Sequence, residues 1–289
     1  MYLPDFEYYA PDSIEKACQL LSQFGAKAKV FAGGTDLVVK MKNELLAPEV
    51  VVSVKNLEQL KKIEYVAGKG VCVGALCTHN DLVKSDVLKE KYQSVANAAR
   101  QMANNQVRNR GTIGGNIISA VPSADLPPIF IVLNATAKLV GAKGERAVAM
   151  EDLFVGPGRT VLAQDELIAE VFIPDQKMTG SNYIKFGLRK SGALAVVGVA
   201  VAVQVENGVI KDARIALGAV AATPIRAKKT EDFLKGKKAT DDVLAEAGVM
   251  ASGECKPISD IRASAEYRTD LVRIFTKRAL RKAVDEGHV

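Results

Sequence analysis

The sequence predicts an α+β protein in two parts, and three observations lead there. Its 289 residues exceed one typical domain. Amphipathic helical stripes and short apolar strand runs occur in both halves. A polar, apolar-poor stretch, QKMTGS at 176–181, separates them. With 48% hydrophobic and 25% charged residues and no internal repeat, the composition is that of an ordinary globular chain, neither disordered nor a solenoid. The expected domains are 1–176 and 177–289.

Taken in order, the first element is a helix over 12–24. It has a hydroxyl or acidic cap, apolar positions at Ile14, Ala17, Cys18, Leu21 and Phe24, and Gly25 as a stop. KAKVFAGGTDLVV reads as a strand, a sharp turn at Gly33–Gly34 and a continuing strand. VVVSV at 50–54 and VCVGAL at 71–76 read as strands, and 81–102 as one helix with a stripe through Leu82, Val95 and Ala99. The stretch 108–128, RNRGTIGGNIISAVPSADLPP, is expected to be a loop, and 126–134 a helix whose first turn tolerates Pro127 and Pro128. A hairpin in AKLVGAKGERAVAM and a strand in ELIAEVFIP close the first domain. Beyond it come strands in NYIKFGLRK, ALAVVGVAVAVQV and VIKDARIALGAV, the last two joined by Glu206-Asn207-Gly208, where Asn and Gly tolerate positive φ. The C-terminal third is helical.

Two loops share a design. FAGGTDL (31–37) and RGTIGGN (110–116) each pair adjacent glycines with a flanking threonine. Such loops can aim consecutive N–H groups at an anion, and the missing Cβ atoms let a phosphate approach. The alternative is a pair of unrelated tight turns. Neither G-x-G-x-x-G after a strand nor G-x-x-x-x-G-K-[ST] occurs, so the pattern is phosphate-binding without being Rossmann or P-loop.

Other chemistries are poorly supplied. Cys18, Cys72, Cys77 and Cys255 are too scattered for a disulfide framework and are expected reduced. Cys72 and Cys77 have the opening spacing of a plant-type iron-sulfur site, but the next ligand position is Asn80, so no cluster and no metal site is expected. Only His79 and His288 are available for a zinc site or a histidine triad. His79 is read as structural and His288 as part of a frayed end. The net charge of +6 comes without a basic block, with 6% aromatic residues and no Trp, which argues against nucleic acid and for phosphorylated cofactors or an acidic partner. The N-terminus has no signal-peptide pattern and no apolar run reaches span length, so a cytoplasmic chain without a membrane span is expected.

AGGTDL, then RNRGTIGGNI, then A-x-P-x-x-D-x-x-P, closely resembles the FAD-binding medium subunit of the molybdenum hydroxylases, the xanthine dehydrogenase and carbon monoxide dehydrogenase family. DELIAEVFIP, YIKFGLRKSGALAVVGVAVAV and EYRTDLVRIFTKRAL resemble later landmarks in the same order, so the likeness spans nearly the whole chain. It implies a p-cresol methylhydroxylase-type FAD domain of two α+β subdomains, about 1–55 and 56–176, followed by a smaller α+β domain with an antiparallel sheet and helices. It implies non-covalent FAD here, with the molybdenum cofactor in a large partner subunit and [2Fe-2S] clusters in a small one. The implied role is to take electrons from those clusters onto FAD and pass them to NAD or another acceptor. A freestanding FAD-dependent reductase on the same fold is the alternative.

Carried over residue by residue, the first loop maps the cofactor's pyrophosphate onto Val30, Phe31, Ala32, Gly33, Gly34, Thr35, Asp36 and Leu37. The second maps it onto Thr112, Ile113, Gly114, Gly115 and Asn116. Met102 falls where some relatives place an aromatic beside the flavin. Asp125 matches a cofactor-contacting carboxylate, and capping the following helix is its other reading. Ile168 matches an apolar flavin-pocket position. Lys185 matches a lysine near the isoalloxazine edge, where a cation would tune the flavin, and a solvent-facing strand lysine is its other reading. The flavin carries the chemistry, and no catalytic side chain is assigned.

Overall fold

The computed structural model describes residues 2–286; His288 lies outside them. The chain forms three layered units, each with its own buried cluster.

The first unit is a three-stranded parallel sheet, ordered β1-β3-β2, with β1 (Glu7–Tyr9), β2 (Ala28–Phe31) and β3 (Val50–Ser53). Parallel strands need crossovers. Helix α1 (Ile14–Phe24) provides one, capped by the Ser13 hydroxyl, which accepts from the Lys16 N–H, and ended by Gly25 at φ 53°. Helix α2 (Leu37–Lys42) provides the other. The expected strand continuation after Gly34 is therefore a helix. LVVKMK has no strict alternation, and a parallel return to β3 requires the chain to leave the sheet.

The second unit is a five-stranded antiparallel sheet. It holds β4 (Ile63–Val66) and β5 (Gly70–Gly74), followed by helices α3 (His79–Lys84), α4 (Asp86–Lys91), α5 (Gln93–Gln101), α6 (Asn105–Arg108), α7 (Ile113–Ile118) and α8 (Leu126–Val132). Strands β6 (Thr136–Gly141) and β7 (Gly144–Ala149), a small hairpin β8 (Phe154–Gly156) and β9 (Arg159–Thr160), and β10 (Leu167–Pro174) complete it. The sheet order is β4-β5-β10-β6-β7. The single helix expected over 81–102 is three. Ser85 at ψ 118° ends α3 and caps α4 by accepting from the Leu88 N–H, and Tyr92 breaks the chain again. The stretch 108–128 is not the expected loop either, because Thr112 caps α7 with Gly114 and Gly115 inside its first turn.

The C-terminal unit packs a four-stranded antiparallel sheet, β11 (Gly180–Phe186), β12 (Val197–Glu206), β13 (Val209–Gly218) and β14 (Ile225–Arg226), against α9 (Lys228–Leu234), α10 (Asp241–Glu254) and α11 (Ala265–Glu286). The β12–β13 hairpin turns at Asn207 (φ 51°) and Gly208 (φ 74°), both left-handed as their types allow. Strand β11 stops at Phe186, short of the expected Lys190, since the Gly187–Ala195 stretch leaves the sheet.

Strand β11 is buried on both sides. Ile184 and Phe186 pack into the C-terminal cluster, while Tyr183 belongs to the cluster of the five-stranded unit. Helix α11 approaches it so closely that a Cβ on Gly180 would collide with the Ala283 carbonyl. Gly180→Ala is expected to lower unfolding free energy by about 1–3 kcal/mol through forced separation of α11 from the sheet, measured by chemical denaturation.

Candidate functional site

A cleft of about 900 Å³ runs between the first and second units and reaches the C-terminal unit. That is the upper part of the range for small-molecule sites, about 300–1,000 Å³. Of the seventeen residues predicted to meet a cofactor, all but Phe31, Ile113 and Lys185 line it.

The two glycine loops do different jobs. In the first, among the described residues, the backbone N–H groups of Gly33, Gly34, Thr35 and Asp36 donate to no protein acceptor. Unpaired donors at a cleft wall are costly unless water or a ligand accepts from them. The loop leaves the C-terminal end of β2 and enters α2, where the Val38 N–H closes the turn by donating to the Gly34 carbonyl (3.1 Å). Lys29 and Lys40, also lining the cleft, bring positive charge to this side.

In the second loop the expected run of free donors is largely absent: among the described residues only the Thr112 N–H donates to no protein acceptor, and the N–H groups that follow it are satisfied. Those of Ile113 and Gly114 donate to the carbonyls of Cys77 (3.0 Å) and Ala75 (2.9 Å), that of Gly115 to Thr112 Oγ1 (3.1 Å) and that of Asn116 to Thr112 O (2.9 Å). These bonds stitch the loop onto the segment that follows β5. What it offers the cleft is side-chain chemistry, including Asn116 Oδ1, which is buried without a partner. Ile113 is fully buried in the core beneath.

The glycines divide likewise. A Cβ on Gly33 would run into the Arg110 carbonyl, so this glycine is what lets the two loops touch. Gly34, at φ 75° and against the Phe31 ring, serves the turn itself. Gly114 packs on Ala75. Gly115 meets only Thr112 Oγ1, at 3.1 Å, and otherwise leaves its cleft side open. Phe31 lies under the Lys55 ammonium, 3.8 Å from ring centre.

Asp125 is 3% exposed and at the start of α8, yet its side chain caps nothing. The second and third helical positions, where a cap finds its N–H, are Pro127 and Pro128, which have none. Instead the carboxylate accepts from Tyr183 Oη (2.8 Å) and Lys185 Nζ (2.7 Å). Burial pushes its carboxyl above the usual range, opposed by the Lys185 charge and by both hydrogen bonds. Lys185 is therefore not the solvent-facing lysine of the alternative reading, since its side chain is 8% exposed behind Asp125.

Several cleft residues are not among those assigned to the cofactor from sequence, among them His79, read there as structural. His79 is buried, lines the cleft and leaves Nδ1 without a partner. Burial, and secondarily the Arg108 charge, push its imidazole down to about 3. Gly192, Ala193 and Leu194 reach the cleft from the C-terminal unit, held by the Gly192 N–H on Ala103 O (3.0 Å). The small residues of SGALAVVG were their one sequence signal.

The family model described as the FAD binding domain in molybdopterin dehydrogenase matches residues 4–176, and the CO dehydrogenase flavoprotein C-terminal domain matches 182–283. The chain belongs to the FAD-binding medium subunits of the molybdenum hydroxylase family. It is 36% identical over 98% of both chains to the carbon monoxide dehydrogenase medium chain of Hydrogenophaga pseudoflava. It is 33% identical to the glyceraldehyde dehydrogenase medium chain of Sulfolobus acidocaldarius, covering 98% of this chain and 99% of that one. A solved carbon monoxide dehydrogenase from H. pseudoflava, lacking the Mo-pyranopterin moiety of its molybdenum cofactor, superposes with a TM-score of 0.95 at 35% identity over 99% of both chains. The fold is thus that of an FAD-binding domain followed by the family's C-terminal domain. The cleft fits the cofactor of this family, with free backbone donors suited to a pyrophosphate and a volume of about 900 Å³ walled by all three units. No helix among the described residues is long and apolar enough to cross a membrane, and no cluster of three or more metal-ligating side chains occurs among them.

The depressed His79 imidazole predicts a pH dependence. The unfolded chain takes up a proton below about 6.5 while the folded imidazole stays neutral down to about 3. Stability contributed by the neutral form is therefore present above pH 6.5 and lost as pH falls through that window, by at most about 1.4 kcal/mol per pH unit. Denaturant titrations from pH 7 to 4 should show that slope, and His79→Gln should flatten it.

Proposed function

We propose that the cleft holds FAD, with the pyrophosphate on the free N–H groups of Gly33, Gly34, Thr35 and Asp36. In this reading Val30, Ala32 and Leu37 border the cofactor on the first loop, and Thr112, Gly114, Gly115 and Asn116 meet it from the second. Met102, Asp125 and Ile168 face its flavin end. Phe31, Ile113 and Lys185 act from behind, by supporting residues that line the cleft. The observation that carries the reading is the run of four unpaired donors beside a glycine with an open face.

The chain's role in its complex follows as part of the same proposal. Small and large partner subunits hold [2Fe-2S] clusters and the molybdenum cofactor, and electrons reach NAD or another acceptor by way of this subunit's FAD. Bound FAD supplies the redox chemistry, exchanging electrons singly or in pairs. The chain's own residues bind it, orient it and exclude water from it. The medium chains of carbon monoxide and glyceraldehyde dehydrogenases match this chain end to end, which favours a subunit over a freestanding reductase. Both domains assigned at 1–176 and 177–289 would then be needed to enclose the cofactor.

Gly115→Ala should weaken FAD binding by about tenfold or more, since its methyl enters the cleft, while shifting the melting temperature little. Gly33→Ala should instead destabilise the apo chain, because its methyl meets the Arg110 carbonyl. Fluorescence titration with FAD and thermal melts read the two effects separately, and unchanged affinity in Gly115→Ala would count against the site. Purification from the native source should bring down molybdenum and iron-sulfur subunits. Bleaching and recovery of the flavin spectrum with NADH and NAD would then test that acceptor.

A further inference from the structure

Tyr183 and Lys185 lie two apart on β11, so both side chains leave the same face of the strand. That face looks away from its own domain's core and onto α8 and the end of α5. Tyr183 Oη donates to Asp125 Oδ1 at 2.8 Å and Lys185 Nζ to Oδ2 at 2.7 Å, one donor for each carboxylate oxygen. Lys185 Nζ also reaches the Gln101 carbonyl (3.1 Å), next to the cleft residue Met102. The Gln101 amide returns a bond to the Tyr183 carbonyl (3.3 Å). The phenol crosses the neighbouring strand at Gly198, where a Cβ would lie 2.7 Å from Tyr183 Oη. Asp125 receives nothing from its own helix and lines the cleft, while the two donors do not.

We propose that Tyr183 and Lys185 are positioning residues of the cofactor site: from the C-terminal domain they fix the Asp125 carboxylate in one orientation at the cleft wall. The site is then complete only when the two domains are docked. A buried carboxylate with no local donor has no reason to hold one rotamer, and burial works against its charge. The two donors supply both the orientation and the opposing charge, and leave one lone-pair direction on each oxygen for a polar group of the ligand. This inference rests on the reading of the cleft as the FAD site.

A double-mutant cycle on the full chain tests it, with FAD affinity, bound-flavin absorption and melting temperature as readouts. Tyr183→Phe keeps the ring and removes only the hydroxyl. It should weaken FAD binding about tenfold and shift the visible flavin band. In an Asp125→Ala background, where the Tyr183 hydroxyl has lost its acceptor, the same change should alter neither. Lys185→Met should behave like Tyr183→Phe toward FAD, with a larger loss of melting temperature. Ser181→Ala is the control. It removes a contact between the domains on the same strand, Ser94 Oγ to Ser181 Oγ at 2.7 Å, without touching Asp125, and should lower the melting temperature while leaving affinity and spectrum unchanged. Equal FAD losses in Ser181→Ala and Tyr183→Phe, or a Tyr183→Phe effect that persists without Asp125, would overturn the proposal. A wild-type chain that binds no FAD would instead sink the reading of the cleft.

Discussion

The site depends on a contact that leaves no room for a side chain, the Gly33 backbone against the Arg110 carbonyl. It joins the parallel three-stranded unit to the antiparallel five-stranded one at the point where each delivers a glycine loop. Were the loops held apart by even a methyl group, the free donors of residues 33–36 and the side chains of residues 112–116 would face different spaces. Closing the gap is also what makes the loops unlike each other. The second is anchored through the Ile113 and Gly114 N–H groups to the segment after β5, which leaves the first as the one with a run of donors to spare. Rigidity on one side and unsatisfied donors on the other suit an anion site better than two equivalent floppy loops, since little ordering is left for the ligand to impose.

A second constraint acts at the opposite end of the cleft. Helix α8 begins with a carboxylate followed by two prolines, so the usual N-terminal partner of an aspartate does not exist there. A buried charge with no local donor must find one elsewhere. It finds two on β11, in another domain, and the ion pair they form is nearly dry. Pairs of this kind stabilise little in net terms and are costly to half-break. This one ties β11 of the C-terminal domain to the start of α8 at the cleft wall. The same docking carries Gly192 to Leu194 to the cleft mouth.

Much of this was legible in the sequence, and the failures have physical causes. Strong alternation and strong turn chemistry gave correct strands, as in 167–174 and the hairpin at Asn207-Gly208. The helices of 79–118 were misjudged because breaks at Ser85 and Tyr92 are made by caps, not by glycine or proline. Gly114-Gly115 looked like a loop because glycine is a poor helix former. It sits in a helical turn because Ala75 packs against it and Thr112 caps it, a tertiary gain that outweighs local preference. The failure of Asp125 as a cap was in principle readable from Pro127 and Pro128. Its partners were not, because nothing local links position 125 to positions 183 and 185. The neutral state of His79 was equally hidden, since it follows from burial and from Arg108.

Two medium chains whose complexes are named for carbon monoxide and for glyceraldehyde match this one over nearly its full length at similar identity. The features that shape the cleft are backbone donors, close glycine contacts and a buried carboxylate with its two donors. All of these suit the groups a nucleotide cofactor offers, an anionic bridge and polar atoms. A protein that binds only the shared cofactor is free to serve many oxidations, because the selectivity can reside in whichever partner meets the substrate. That freedom requires the cofactor site to be finished within this chain, and under the proposed reading of the cleft the dry Asp125 pair and the Gly33 contact are what close it.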